Sequence, residues 1–85
     1  MTVNLTVRYF AGARAAAGVA DERLELTAPA TVAEVLSVVG SRHGDGLARV
    51  LAACSFLLDG VAVRDRDTPV PSGASLDVLP PFAGG

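Results

Sequence analysis

The sequence predicts a small α+β protein in which one mixed sheet packs against helices on one side. Alternating apolar residues mark strands at both ends of the chain, two segments with helical apolar spacing lie between them, and Asp59-Gly60 separates two short apolar runs. With 85 residues and 51% hydrophobic content, the chain can build one modest core but not two. Amphipathic helices and a half-apolar sheet bury their apolar faces against each other, so we expect about five strands on one main helix and a short second helical segment.

The first third of the chain is predicted to form two strands separated by a short helix. Residues 3–10 alternate apolar and polar side chains, which is typical of a half-buried strand. Residues 11–17 are rich in alanine and favour a helical turn. Residues 22–27 alternate again, with two leucines on one face, and predict the second strand.

The main helix is predicted to begin at Thr31. Thr31 and Glu34 have the spacing of a capping box, in which each side chain satisfies a backbone amide of the other residue. One apolar stripe follows at helical spacing: Val32, Val35, Leu36 and Val39. Gly44 can supply a left-handed cap at the end. Gly40 lies inside the pattern and costs about 1 kcal/mol relative to alanine, which favours an earlier end of the helix.

The second half is predicted to contain a short helix, a hairpin and a closing strand. Apolar residues between Leu47 and Cys54 keep helical spacing. Asp59-Gly60 favours a two-residue turn with positive φ between strands 55–58 and 61–63. A polar loop with proline and glycine then precedes the last strand, residues 75–79.

Charge and cysteine content exclude several classes of function. The net charge is −2, and the seven basic residues, all arginine, are scattered, so nucleic acid is a poor candidate partner. One cysteine excludes an internal disulfide and suits a reducing compartment. The amino-terminal segment lacks a signal-peptide pattern, and no apolar run approaches the ~18 residues of a membrane span. We therefore expect a soluble, cytoplasmic protein that does not associate with a membrane.

The reactive side chains have ordinary structural explanations. Cys54 ends an apolar helical stripe and is expected to be a buried thiol, although it could in principle accept sulfur. His43 suits the negative end of the helix dipole. Cysteine and histidine do not have metal-ligand spacing, and residues 12–18 lack the Gly-Lys-Ser/Thr of a phosphate loop. We therefore expect neither a metal site, nor a stably bound cofactor, nor a self-contained enzyme.

The carboxyl-terminal segment carries the most informative pattern. After the closing strand the chain reads Leu79-Pro80-Pro81-Phe82-Ala83-Gly84-Gly85. Two consecutive prolines cannot continue a central strand and favour an extended conformation. The side chains then shrink to glycine, which leaves the terminal carbonyl open to attack and fits a narrow channel. We therefore divide the chain into a domain, residues 1–79, and an extended flexible arm, residues 80–85; a terminus that ends in glycines without a function is the alternative.

The chain resembles the MoaD/ThiS family of sulfur carriers over nearly its whole length. The residues that carry the resemblance are 3–11, VNLTVRYFA, and 79–85, LPPFAGG, directly after the last strand. The family includes the small subunit of molybdopterin synthase, and its members are β-grasp proteins related to ubiquitin. The resemblance implies a β-grasp fold and a carrier role for the carboxyl terminus.

The resemblance also implies a reaction sequence on Gly85, with Gly84 beside it. A ubiquitin-activating-type adenylyltransferase would use ATP to convert the Gly85 carboxylate into an acyl-adenylate, because AMP is a good leaving group and a carboxylate is a poor electrophile. A persulfide donor would then leave a thiocarboxylate. AMP and sulfur would be transient covalent groups. The arm would enter the large subunit of molybdopterin synthase, which supplies the catalytic residues and uses the sulfur to build the molybdopterin dithiolene.

Partner contacts are implied by position in the family. The expected docking residues are Phe10, Arg14, Val63, Leu79, Pro81 and Phe82. Core packing is the alternative explanation for Val63 and Leu79, and a solvated charge is the alternative for Arg14.

Three other functions remain open at this point. The sulfur could serve another acceptor, such as the thiazole of thiamin or a tRNA base; the helical segment 47–54 argues against a ThiS-type carrier, which usually lacks it. The chain could be a non-covalent β-grasp interaction module whose glycines are never activated. It could also be a modifier attached to protein lysines.

Overall fold

The computed structural model describes residues 1–81, which form a five-stranded sheet and three helices. In chain order these are β1 (Thr2–Tyr9), α1 (Ala11–Ala17), β2 (Asp21–Thr27), α2 (Val32–His43), α3 (Asp45–Ala53), β3 (Ser55–Leu58), β4 (Val61–Ala62) and β5 (Ala74–Leu79). The strand order is β2-β1-β5-β3-β4. β1 and β5 pair in parallel, and the other neighbours are antiparallel. The predicted mixed sheet of five strands is confirmed.

The core lies between the sheet and the helices. In β1 the buried residues alternate with more exposed ones, and the same side of β5 is buried. The side chains with the least exposure come from both layers: Val7, Val32, Val35, Val39, Leu47, Leu76 and Val78. Each such side chain contributes roughly 1.5–3 kcal/mol on burial. Hydrophobic burial therefore fixes β1 and β5 as the rigid centre of the molecule.

α2 begins as predicted and ends where the sequence placed its last turn, at Arg42 and His43 before Gly44. The Thr31 hydroxyl accepts from the Glu34 amide (3.3 Å), and the Glu34 carboxylate accepts from the Thr31 amide (3.2 Å). The helix passes through Gly40, so the earlier end that this glycine favoured is not observed. At Gly40 the helix packs against α3, where an added Cβ would lie 3.7 Å from the Cβ of Ala48. This packing offsets the low helix propensity of glycine.

Gly44 joins α2 directly to α3. It was expected to be a left-handed cap, but its φ of 90° is combined with a ψ of −173°. This extended conformation with positive φ is essentially restricted to glycine. The Gly44 amide still donates to the Gly40 carbonyl (2.9 Å), and the chain turns at once into the next helix.

The hairpin has the predicted turn but a shorter second strand. Asp59 and Gly60 have φ values of 48° and 83°, as a turn with two positive φ angles requires. β4 ends at Ala62 rather than at Val63. The Val63 amide nevertheless donates to the Phe56 carbonyl (2.9 Å), so the chain continues alongside β3 for one more residue.

The loop between β4 and β5 is largely polar, as predicted, but it is fixed to α2. The Thr68 carbonyl accepts from the Val32 amide (3.0 Å), and the Val70 amide donates to the Ala30 carbonyl (2.8 Å). Val70 is 3% exposed and joins the core. The loop therefore covers the amino-terminal end of the main helix instead of hanging in solvent.

Candidate functional site at the base of the carboxyl-terminal arm

The arm starts from a buried central strand. β5 lies between β1 and β3, and Leu76 and Val78 are completely buried. β5 ends at Leu79, and the half-buried Pro80 and exposed Pro81 follow outside the sheet. Because prolines lack amide donors, strand pairing cannot continue through them. The fold thus holds the base of the arm rigidly, as a carrier or docking terminus requires.

The end of β1 and the start of α1 lie beside this base. β1 and β5 are parallel, so their carboxyl ends share one edge of the sheet, with Tyr9 opposite Val78. The Phe10 amide donates to the Val78 carbonyl (3.3 Å). Phe10 is 39% exposed although it is a large apolar residue, and Arg14 is exposed one helical turn further on. The structure therefore places Phe10 beside the end of β5, with Arg14 one helical turn away along α1.

The other described docking residues lie on different faces. Leu79 is half-buried and belongs to the side of β5 that faces away from the helices, together with Asp77. Val63 is half-buried and packs against the core, beside Phe56, so core packing accounts for much of its surface. Pro81 is exposed. Phe82, Gly84 and Gly85 lie outside the described residues, so their predicted roles stay predictions.

An ion pair that sequence analysis did not identify crosses the central strands on the open face, the side of the sheet opposite the helices. Arg8 Nε donates to Asp77 Oδ1 (2.6 Å), and Arg8 Nη2 donates to Asp77 Oδ2 (2.8 Å). The guanidinium carbon of Arg8 lies 5.5 Å from the centre of the Phe10 ring. The paired Asp77 carboxylate raises the pKa of Arg8 through its hydrogen bonds. The alternation in each strand places both residues on this face, but the parallel register that joins them is not readable from sequence.

A second polar cluster ties β2 to the end of α2. The Glu22 carboxylate accepts from the Tyr9 hydroxyl (2.8 Å) and from Arg42 Nη1 (2.9 Å), and it contacts His43 Nε2. Burial raises the pKa of Glu22, but the hydrogen bonds from His43, Tyr9 and Arg42 outweigh it and leave that pKa below its usual value. Burial, with the adjacent carboxylate, raises the pKa of Tyr9. The cluster is satisfied internally and stabilises the fold.

Cys54 is sequestered, as predicted. It is 8% exposed, and its thiol donates to the Val50 carbonyl (3.1 Å). Burial raises its pKa, which disfavours the reactive thiolate. His43, the other reactive side chain, is engaged with Glu22.

Neither a metal-binding cluster nor a membrane-spanning helix is found within residues 1–81. No group of three or more His, Cys, Asp or Glu side chains in this range could hold a metal ion. No helix in the same range is long and apolar enough to cross a membrane.

The parallel β1–β5 centre with helices on one face defines a β-grasp protein of the ubiquitin-like class, as the resemblance implied. Residues 7–85 match the model of the ThiS family. The chain is 31% identical over 84 residues to the molybdopterin synthase sulfur carrier subunit of Chlamydomonas reinhardtii, covering 98% of this chain and 100% of that protein. It therefore belongs to the ThiS family and is a sulfur-carrier homologue of the small subunit of molybdopterin synthase.

Solved structures agree with this assignment. A molybdopterin converting factor subunit 1 from Pyrococcus furiosus is 25% identical with a TM-score of 0.80, covering 94% of this chain and 99% of that chain. One chain of the complex between subunits 1 and 2 of the molybdopterin-converting factor from Helicobacter pylori 26695 has a TM-score of 0.67 at 23% identity, covering 98% and 100%. At 23% identity, the similarity to the Helicobacter pylori chain shows a shared fold only.

Proposed function

We propose that the chain carries sulfur as a thiocarboxylate on Gly85 and donates it during formation of the molybdopterin dithiolene. The observation that carries the proposal is the rigid central strand β5, which projects Pro80 and Pro81 toward a Gly-Gly end. The full-length similarity to a molybdopterin synthase sulfur carrier subunit supports this acceptor.

Loading converts the Gly85 carboxylate into a thiocarboxylate in three steps. The carboxylate attacks the α-phosphorus of ATP on an adenylyltransferase, pyrophosphate leaves, and an acyl-adenylate forms. A persulfide sulfur then attacks the carbonyl carbon and expels AMP. A thiol reduces the resulting acyl disulfide and leaves the thiocarboxylate. The chain itself supplies the carboxylate and the shape that partners bind, while the catalytic groups belong to those partners.

The proposed docking surface surrounds the base of the arm. It comprises Phe10 and Arg14 at the start of α1, Leu79 on the open face, and Pro81 and Phe82 in the arm; Val63, which packs against the core, is a further candidate. The complex of two subunits known for the Helicobacter pylori relative supports the large subunit of molybdopterin synthase as the partner. An exposed aromatic residue beside a rigid arm is the type of anchor that dominates protein interfaces.

Reconstitution tests the proposal. The chain is incubated with the adenylyltransferase of its host, ATP and a persulfide donor, and is then added to the large subunit and the pterin precursor. We expect molybdopterin to form in proportion to the thiocarboxylate supplied. A matched variant with one alanine added after Gly85 should keep its fold but yield neither thiocarboxylate nor product.

Two results would contradict the proposal or narrow it. Equal activity of the extended variant would favour a non-covalent interaction module. A loaded chain that is emptied by the thiamin thiazole or a tRNA base, but not by the pterin precursor, would keep the carrier chemistry and change the acceptor. The presence of α3 (Asp45–Ala53) argues against the thiamin alternative, as the sequence suggested.

A further inference from the structure

The Arg8–Asp77 pair occupies the middle of the open face. Arg8 and Asp77 are direct neighbours across the parallel β1–β5 centre, and Leu57 on β3 is the neighbour of Asp77 on its other side. The Asp77 side chain is only 13% exposed, whereas the Arg8 side chain is 51% exposed. A charged group is therefore presented to solvent on a surface whose nearby residues include the half-buried Leu57 and Leu79.

We propose that Arg8, held in place by Asp77 and Phe10, is a specificity-determining contact for the large subunit that receives the arm, and that it selects a partner with a carboxylate opposite it. The inference rests on the proposed function, because that function requires a large subunit to bind the arm. It adds a residue that lies outside the predicted docking set, and it states the chemistry that the partner must offer.

Stability alone does not account for the pair. The Arg8 side of the pair is half open to water, where an ion pair typically contributes little to stability, so the pair gains little over a well-packed apolar pair of similar volume. The side chains around it, Leu57 and Leu79 among them, could accommodate such an apolar pair. A charged pair at this position is thus better explained by recognition.

The Arg8 side chain is also preorganised for binding a partner. Its two hydrogen bonds to Asp77 and its position against the Phe10 ring restrict a side chain that is otherwise flexible. Restriction before binding lowers the entropy cost of forming an interface. A guanidinium has five N–H donors, and Asp77 accepts two of them. Within the described residues no other side chain accepts from Arg8, so three donors remain for solvent or for a docked partner.

The three N–H groups of Arg8 that do not bind Asp77 make the contact selective for particular partners. A partner surface that covered Arg8 with apolar groups would remove water from the donors without replacing its hydrogen bonds, which is costly. A partner with a carboxylate at this point would satisfy them in a charge-assisted and directional way. The contact therefore favours one partner and rejects others that match the apolar surroundings equally well.

The position of Arg8 near the base of the arm indicates which protein binds it, namely the large subunit. Asp77 is two residues before Leu79, and β5 continues directly into Pro80 and Pro81. Phe10, against which Arg8 lies, is hydrogen-bonded to Val78 in the same strand. A protein that encloses the arm from its base must also approach this surface. We assign the contact to the large subunit because it holds the arm during sulfur donation in the proposed function.

The test measures affinity for the recombinant large subunit of the same host by calorimetry, using the full chain. The variant R8L/D77L replaces the pair with apolar residues, and we expect it to bind about tenfold more weakly or worse. The charge-swapped variant R8D/D77R keeps an ion pair but reverses it, and we expect a similar loss. Arg23→Leu, on the exposed side of edge strand β2, is the matched control and should bind like the wild type. Urea unfolding of each variant checks the fold.

Each remaining outcome contradicts the inference in a distinguishable way. If the wild type does not bind the large subunit, the proposed function fails, and the inference fails with it. If the wild type binds and R8L/D77L binds equally well, only the inference fails. If R8L/D77L keeps its affinity but is no longer adenylated, the contact belongs to the activating enzyme. If neither double variant folds, the pair is a folding requirement instead of a recognition element.

Discussion

Glu22 connects three parts of the chain through one carboxylate. Its side chain is 12% exposed and binds Tyr9 at the end of β1 as well as Arg42 and His43 at the end of α2. Removing one member of such a cluster leaves buried donors without an acceptor, which costs about 1–3 kcal/mol. The carboxylate thus stabilises the junction between the sheet and the main helix, next to the strand end that holds the arm.

The lowered pKa of Glu22 predicts a specific dependence of stability on pH. A carboxyl group whose pKa is depressed in the folded state contributes stability at pH values above its unfolded pKa. It loses this stability as the pH falls through its folded pKa. Glu22→Gln should therefore lower the free energy of unfolding by about 1–3 kcal/mol at pH 7. As the pH is lowered, the free energy of unfolding of this variant should fall less than that of the wild type. Urea unfolding at several pH values measures both effects. Glu25→Gln, at an exposed position of the same strand, is the control; an equal effect there would refute the explanation.

Cys54 allows a second prediction at this scale. The Cys54 thiol is buried and hydrogen-bonded to the Val50 carbonyl, and burial raises its pKa. We therefore expect that Cys54 plays no role in carrying sulfur. Cys54→Ala should accept sulfur on Gly85 as fully as the wild type, as measured by intact mass after loading. A folded Cys54→Ala protein that cannot be loaded would show that the thiol takes part in the chemistry.

At the scale of elements, α2 and α3 act as one packed pair joined at Gly44. The Gly44 backbone conformation requires glycine, whereas Gly40 has an ordinary helical conformation and room for a methyl group, with Ala48 at 3.7 Å. The two glycines therefore have different consequences for stability, although both appear in the sequence as interruptions of a helical pattern.

This difference predicts opposite effects of two matched substitutions. Gly40→Ala should raise the free energy of unfolding by about 0.5–1 kcal/mol, because alanine has the higher helix propensity and its methyl group meets Ala48 at normal contact distance. Gly44→Ala should lower it by about 1–3 kcal/mol, because its φ of 90° is strained for any residue with a Cβ. Urea unfolding measures both. A destabilised Gly40→Ala protein would contradict the packing described for α2 and α3.

Local sequence patterns predicted the elements better than their connections. The capping box at Thr31, the turn at Asp59-Gly60 and the burial of Cys54 each depend on neighbouring residues, and each is confirmed. The pairing of β1 with β5 joins residues almost 70 positions apart, as in the Arg8–Asp77 pair. Pairing at that separation depends on the whole core, so neither the ion pair nor the Glu22 cluster could be predicted from local patterns.

At the scale of the whole molecule, the described residues form one sheet with helices on one face, and the proposed arm follows its central strand. The helices cover one face of the sheet and leave the other open, and the central strand β5 leads to the arm. The extended arm is predicted from the Pro-Pro and Gly-Gly pattern, that is, from the chemistry of single residues, and its role stays a prediction. The docking residues also stay predictions: Phe10 and Arg14 are exposed, whereas Val63 packs largely against the core.

The intact mass of the protein, purified gently from its native host under reducing, sulfur-replete conditions, tests the central claim most directly. We predict a fraction that is heavier by one exchange of oxygen for sulfur, located by fragmentation at Gly85 and absent from a Gly85 deletion. A mass that remains that of the plain carboxylate, even after addition of ATP, a persulfide donor and the activating enzyme of the host, would contradict the proposal that this chain carries sulfur on its carboxyl terminus.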